Sequence, residues 1–275
     1  MADYRFLEVE WAGRLATVTV STPPINLVTL ELFGELAALA AELEADPDLT
    51  VVVMKSADPD FFLAHFDVAA ILGFPVDGPA ERSPELNDYH QMCERFRTMN
   101  KVTIAQIEGR VGGGGSELAA SFDLRYGVRG RTRINQMEVP LGILPGGTGT
   151  QRLPRLVGRA RAMEIILGGE DLDAETAERW GYLNRIFAAD EIGPWVARLA
   201  RRIASFPPEA VRLAKAAVDG AESPLAEGLP EEAYLFQCLL RTDGAQRNMQ
   251  RFLEIGGQTR EGELEVDRLS GKLGD

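Results

Sequence analysis

Cysteine and histidine are both scarce: in 275 residues there are two of each, Cys93 and Cys238, His65 and His90. The cysteines lie far apart in helix-like segments with no partner spacing, which excludes a disulfide framework and a cysteine zinc site. Two histidines cannot build a histidine-rich metal centre, so no metal is expected. No run of 18 apolar residues occurs, and Met1-Ala2-Asp3-Tyr4-Arg5 lacks the apolar block of a signal peptide. A cytoplasmic protein without a membrane partner is expected. Positive charge is also short, with 29 Lys and Arg against 42 Asp and Glu, a net charge of -13. That balance speaks against nucleic acid or an anionic membrane as partner. What is present, 45% apolar and 26% charged residues, suits one large globular domain or a core with a small appendage.

The most informative stretch is Ile107-Glu108-Gly109-Arg110-Val111-Gly112-Gly113-Gly114-Gly115-Ser116-Glu117-Leu118, which reads as strand, glycine turn, helix. Each glycine costs about 1 kcal/mol relative to alanine in a helix, so four in a row point to backbone access. A glycine turn opening a helix presents unpaired N–H groups and the positive end of the helix dipole, a setting for an anion or a developing oxyanion. The dinucleotide fingerprint fails because Glu117 and Leu118 occupy its glycine positions, a phosphate loop fails for want of a nearby lysine, and a nucleophile elbow around Ser116 fails at Leu118. What remains is an oxyanion-type loop followed at once by the carboxylate of Glu117.

Along the chain, residues 5–20 alternate apolar and polar about Gly13, predicting a hairpin. Residues 30–43 carry helical spacing, 50–54 are an unbroken β-branched run, and 55–60 read as a loop. Residues 61–67 lead into a short helix, 73–84 have the Pro, Gly and Asp content of a surface loop, and 85–98 predict a helix. Residues 102–107 are the strand feeding the glycine turn, with a helix beginning at 117–121 and a strand at 123–128. Residues 135–142 are loop-like, and 144–150 form a second glycine turn entering a helix at Gln151. From Ala174 onward the pattern is helical, broken at 183–187 and at Pro207-Pro208. Strand, turn and helix recur, an α/β arrangement, and a composition shift near 205 divides it into a core of 1–204 and a helical region of 205–275.

These residues are specific enough to name a resemblance. Phe62-Leu63-Ala64-His65-Phe66-Asp67, Gly113-Gly114-Gly115-Ser116-Glu117-Leu118, Pro145-Gly146-Gly147-Thr148-Gly149-Thr150-Gln151-Arg152-Leu153-Pro154-Arg155 and Ala160-Arg161-Ala162-Met163-Glu164 occur in one order. In these four segments the chain resembles the enoyl-CoA hydratase/isomerase (crotonase) superfamily from end to end. The resemblance implies a spiral of ββα units with a C-terminal helical region for oligomerisation, giving a homotrimer or homohexamer. It implies an acyl-CoA substrate that carries its own coenzyme A, so no separate cofactor.

Residue by residue, the resemblance assigns an oxyanion hole to the N–H groups of Phe66 and Gly114. It assigns catalysis to Glu117 and Glu138, and substrate contacts to Ala64, His65, Asp67, Gly113 and Leu141. Two carboxyls facing one water can divide the work of adding it across a double bond, because like charges close together keep one of them protonated. Hydration of a 2-enoyl-CoA is the expected reaction; an isomerase, a hydrolase or lyase on the same fold, and a non-catalytic acyl-CoA-binding protein are the alternatives. Here His65 and Phe66 stand where relatives more often carry glycine and a small residue, and Glu117 and Glu138 are 21 positions apart, one more than in a typical hydratase. Ser116 with His65 and Asp67 invites a hydrolytic triad, which the missing elbow argues against. Lys55, Lys215 and Arg251 are candidate partners for the phosphates of coenzyme A.

Overall fold

The alternation of residues 5–20 closes as an antiparallel hairpin of β1 (Leu7–Ala12) and β2 (Leu15–Val20), in register from Leu7 opposite Val20 to Ala12 opposite Leu15. The computed structural model in which this is seen describes residues 3–75, 79, 83–222, 225–256, 258, 259, 268 and 271–273. Half of the 73–84 loop, residues 76–78 and 80–82, lies outside them, as does most of the charged tail beyond 256.

The hairpin is followed by α1 (Leu30–Ala45), whose Leu32, Leu36, Leu39, Ala40 and Leu43 are buried at helical spacing, and whose Thr29 side chain accepts the Leu32 N–H at 3.2 Å. β3 (Val51–Ser56) runs parallel to β2. Lys55 and Ser56, expected in a loop, belong to this strand because they continue the pairing with Thr19 and Val20. A unit then repeats, with one strand in each of two sheets and helix after them. β3 is followed by β4 (Phe61–Leu63), α2 (Val68–Leu72) and α3 (Asp88–Thr98). β5 (Val102–Ile107) is followed by β6 (Arg110–Gly112) and α4 (Gly113–Ala120). β7 (Leu124–Val128) is followed by β8 (Arg133–Asn135), a 3-10 turn (Val139–Leu141), α5 (Gly149–Val157) and α6 (Arg159–Gly168). β9 (Leu172–Asp173), α7 (Ala174–Trp180) and β10 (Arg185–Phe187) complete the sheets in the orders β1-β2-β3-β5-β7-β10 and β4-β6-β8-β9.

α8 (Ile192–Ser205) lays Ile192, Val196 and Ala200 on the outer face of the larger sheet, against Val51, Val53 and Ile104, while the main core fills the space between the sheet and α1, α3 and α4. The helical region continues as α9 (Pro208–Asp219), α10 (Leu225–Leu240) and α11 (Asp243–Glu254). Lys215 ties α9 to the core through Asp123 at 2.8 Å and the Lys101 carbonyl at 2.9 Å; this side chain is engaged within the fold, which removes it from the candidate phosphate partners. Cys93 and Cys238 are free thiols, and among the described residues no helix is long and apolar enough to cross a membrane.

The glycine turn differs from expectation in its boundaries. Gly113, Gly114 and Gly115 are themselves the first turn of α4, and the short β6 stands between β5 and that helix. Their purpose is close approach: a Cβ at Gly112 would lie 2.6 Å from the Ala64 carbonyl oxygen, and one at Gly115 would lie 2.6 Å from both Cβ and the carbonyl oxygen of Leu63. Helix propensity alone favours Gly115→Ala by about 1 kcal/mol. The packing predicts the opposite sign, a loss of about 1–3 kcal/mol from forced separation of two backbones. Urea unfolding of that variant decides between them.

Candidate active site

The approach of residues 63–66 to the start of α4 leaves two N–H groups side by side. The His65 carbonyl accepts the Val28 N–H at 2.9 Å, and in a trans peptide the Phe66 N–H therefore points the other way. On that side lies Gly114, where a Cβ would sit 3.1 Å from Phe66 Cβ and 3.5 Å from Phe66 N. Gly114 is in the first helical turn, whose N–H groups have no acceptor within the helix. Among the described residues neither the Phe66 nor the Gly114 N–H donates to a protein acceptor. Gly113, at φ +45°, completes the turn in the left-handed region that favours glycine.

Both residues face a cavity of about 570 Å³ that Glu117, Glu138, His65 and Leu141 also line. Glu117 is 3% exposed and projects from the second turn of α4. Its Oε1 accepts the N–H groups of Gly147 at 2.8 Å and Gly149 at 2.7 Å. Burial raises its pKa to about 7, pushed further up by the charge of Glu138 and opposed by those backbone N–H donors. Glu138 is also buried, at the start of the 3-10 turn, and among the described residues its Oε2 has no hydrogen-bond partner. Desolvation raises its pKa too, while its own backbone N–H and the nearby His65 oppose the rise. The 21-residue spacing does not separate the two carboxyls, because β6 and β8 run parallel with Gly112 opposite Asn135 and carry both onto the same wall.

Of the other sequence candidates, His65 and Leu141 line the cavity, whereas Ala64, Asp67 and Gly113 act from behind it. Ala64 packs on Gly112, Asp67 caps α2 by accepting the Ala69 N–H at 2.9 Å, and a Cβ at Gly113 would lie 2.9 Å from Glu138 Oε1. Ser116 hydrogen-bonds Tyr182 at 2.9 Å on the buried side of α4, away from His65, so no hydrolytic triad forms. Sequence reasoning missed two contributors. Tyr89 donates to the Gly114 carbonyl at 2.6 Å, stacks on Phe33 at 5.6 Å and meets Phe66 edge-on at 5.7 Å, fixing an aromatic wall. Gly147 lies so close to Glu117 that a Cβ there would come within 2.6 Å of Oε2. The signal for Gly147 was present: a second glycine turn opening a helix also wants an anion, and the anion it takes is Glu117.

A carboxyl whose pKa is raised on folding stabilises the fold only while protonated: its contribution is complete below about 4.3, the unfolded value, and is lost as pH rises through about 7. The expected loss is on the order of 3 kcal/mol by pH 8. Glu117→Gln, whose amide oxygen can still accept from Gly147 and Gly149, is therefore expected to be more stable than the parent at pH 8, with the gain shrinking toward pH 5. Thermal or urea denaturation across that range tests it; a gain independent of pH would contradict a buried, proton-binding Glu117.

Residues 10–260 match the family model described as enoyl-CoA hydratase/isomerase. The chain is 35% identical over 254 residues to a probable enoyl-CoA hydratase of Rhizobium meliloti, covering 91% of this chain and 96% of that one. It is 30% identical over 249 residues to a short-chain-enoyl-CoA hydratase of Clostridium acetobutylicum, covering 90% and 94%. Among solved structures, an enoyl-CoA hydratase of Bacillus anthracis superposes with a TM-score of 0.83 at 26% identity over 91% of this chain and 96% of that one. Pseudomonas aeruginosa DspI gives 0.83 at 32% identity over 92% and 96%. With a family model spanning nearly the whole chain and relatives at 30% identity or more over nine-tenths of it, the chain belongs to the enoyl-CoA hydratase/isomerase family.

Proposed function

We propose that this protein is an enoyl-CoA hydratase, adding water across the conjugated double bond of a 2-enoyl-CoA. The observation that carries the reading is the pairing of two buried carboxyls, Glu117 and Glu138, with two unpaired N–H groups, Phe66 and Gly114, on one cavity. The thioester oxygen sits between the two N–H groups and gains negative charge as water attacks the β-carbon; each such donor is worth roughly 100- to 1000-fold in rate. One carboxylate takes a proton from the water and the other, protonated carboxyl delivers one to the α-carbon. The pair ends with its single proton exchanged between partners, and mutual repulsion in a desolvated cavity is what keeps it at one proton. Fixed on one oxygen by Gly147 and Gly149, Glu117 offers its other oxygen to the reacting centre. The coenzyme A arrives on the substrate, so this chemistry calls on no further cofactor.

Loss of the enoyl-thioester absorbance band on adding the protein to crotonyl-CoA or a longer 2-enoyl-CoA is the direct assay. Glu117→Gln and Glu138→Gln are each expected to lower kcat by about 100-fold or more with the fold intact. A band unchanged with both substrates, despite measurable binding of the ester, sinks hydration. Full retention of activity in Glu117→Gln on a 3-enoyl-CoA would instead assign the isomerase reaction, which needs one carboxyl to shuttle one proton.

The same reading gives residues 205–275 the role of an assembly surface for a homotrimer or homohexamer. Support comes from large apolar side chains exposed on α9 to α11: Val218, Tyr234, Phe236 and Leu253 are all more than half exposed. Sedimentation velocity is expected to give a mass three or six times that of the chain, and a monomer at micromolar concentration would refute it.

A further inference from the structure

Two oxyanion donors serve one oxygen only if both lie within hydrogen-bond reach of it, about 2.7–3.1 Å. Here they belong to segments distant in sequence: Phe66 follows β4, and Gly114 opens α4 in a run of glycines that has no side chains with which to hold itself. A third segment touches both. Tyr89, in the first turn of α3, donates its hydroxyl to the Gly114 carbonyl at 2.6 Å and sets its ring edge-on against Phe66 at 5.7 Å. A Cβ on Gly114 would lie 3.1 Å from both the Tyr89 hydroxyl oxygen and Phe66 Cβ, so the three residues meet at one point. The ring itself is confined: Phe33 stacks on it at 5.6 Å, and a Cβ on Gly147 would come within 2.7 Å of its Cδ1. The backbone beside it is anchored as well. His90 donates its N–H to the Asn87 cap at 2.8 Å, and its Nε2 lies 2.7 Å from the Gly146 carbonyl oxygen.

We propose that Tyr89 is a positioning residue for the oxyanion hole: from α3 it braces Gly114 against Phe66 and so fixes the separation of their two N–H groups. The brace stands on these contacts; its consequence for turnover rests on the hydratase reading. The single hydrogen of the hydroxyl is committed to the Gly114 carbonyl, so Tyr89 has none to offer a substrate. A phenol keeps its proton to about pH 10, so the brace is present throughout the neutral range. Its loss weakens the hold on developing negative charge and leaves the titration of the two glutamates in place.

The test is Tyr89→Phe in the full chain, which keeps the ring with its contacts and removes one oxygen. The Gly114 carbonyl, in the first turn of α4, retains the N–H four residues on as its helical partner, so the variant is expected to fold with a thermal midpoint near that of the parent. For hydration of crotonyl-CoA, kcat is expected to fall about 10-fold, with KM held and both limbs of the pH profile in place. An unchanged kcat overturns the brace. A raised KM with kcat retained would make the hydroxyl a substrate contact, and a displaced limb would make it a proton carrier; either result overturns the positioning role. The second measurement needs no turnover: carbon-13 NMR of the protein with hexanoyl-CoA labelled at its thioester carbonyl, a saturated ester with no double bond to hydrate. Two donors on the oxygen move the bound carbonyl signal downfield of the free one, and in Tyr89→Phe that displacement is expected to shrink. A bound signal at the same position in parent and variant overturns the brace. Should the parent hydrate no 2-enoyl-CoA while the hexanoyl-CoA displacement still shrinks in Tyr89→Phe, the reaction assignment falls and the brace stands.

Discussion

Everything at the site depends on one backbone meeting another at less than side-chain distance. Residues 63–66 lie against residues 112–115, a contact between segments some fifty positions apart that a single Cβ on Gly112 or Gly115 would break. That contact sets Phe66 and Gly114 beside each other and lets α4 begin where it does. Beginning there, α4 carries Glu117 into the cavity and Ser116 to the opposite, buried side against Tyr182. The cost of four glycines at a strand-to-helix junction is thus set against a site that no bulkier residue would allow to close.

The second constraint is electrostatic. Glu117 is almost wholly desolvated, yet among the described residues no cation pairs with it: two backbone N–H groups from the Pro145–Gly149 turn take one of its oxygens. Neutral donors compensate burial only in part, which leaves the carboxyl with a pKa of about 7 and able to exist in either form near neutrality. A lysine or arginine in the same place would have fixed it as a carboxylate. Burial against neutral donors thus sets the protonation of Glu117, a perturbation of the kind that clusters at functional sites.

How much of this was legible in the sequence follows the length of each signal. The hairpin, α1, β3, β5 and α8 have six or more residues of clear periodicity or unbroken apolar character, and they stand where the pattern placed them to within a few residues. β8 and β9 span three and two residues, too short for any period to register; they exist because β6 and β8 supply an edge to pair with. Lys55 and Ser56 looked like loop by polarity, yet pairing with β2 kept them in the strand. The glycines announced a need for backbone access, but not whose backbone, since Leu63 and Ala64 give no local sign of their partners. The two carboxyls and the two N–H residues were reached through the resemblance, and the fold brings all four to one cavity in spite of the extra residue between Glu117 and Glu138.

The departures at His65 and Phe66 fall into a consistent physical account. Phe66 turns its N–H toward Gly114, while its side chain joins Phe33, Phe74 and Tyr89 in a continuous aromatic wall. A wall of this kind excludes water beside the carboxyls, which strengthens every charge interaction within the cavity. In such a setting His65 is the one imidazole among the described residues that line the cavity, beside the carboxyls of Asp88, Glu117 and Glu138. Pinned through Nδ1 to its own neighbour's carbonyl, that ring cannot swing away into solvent without giving up a hydrogen bond.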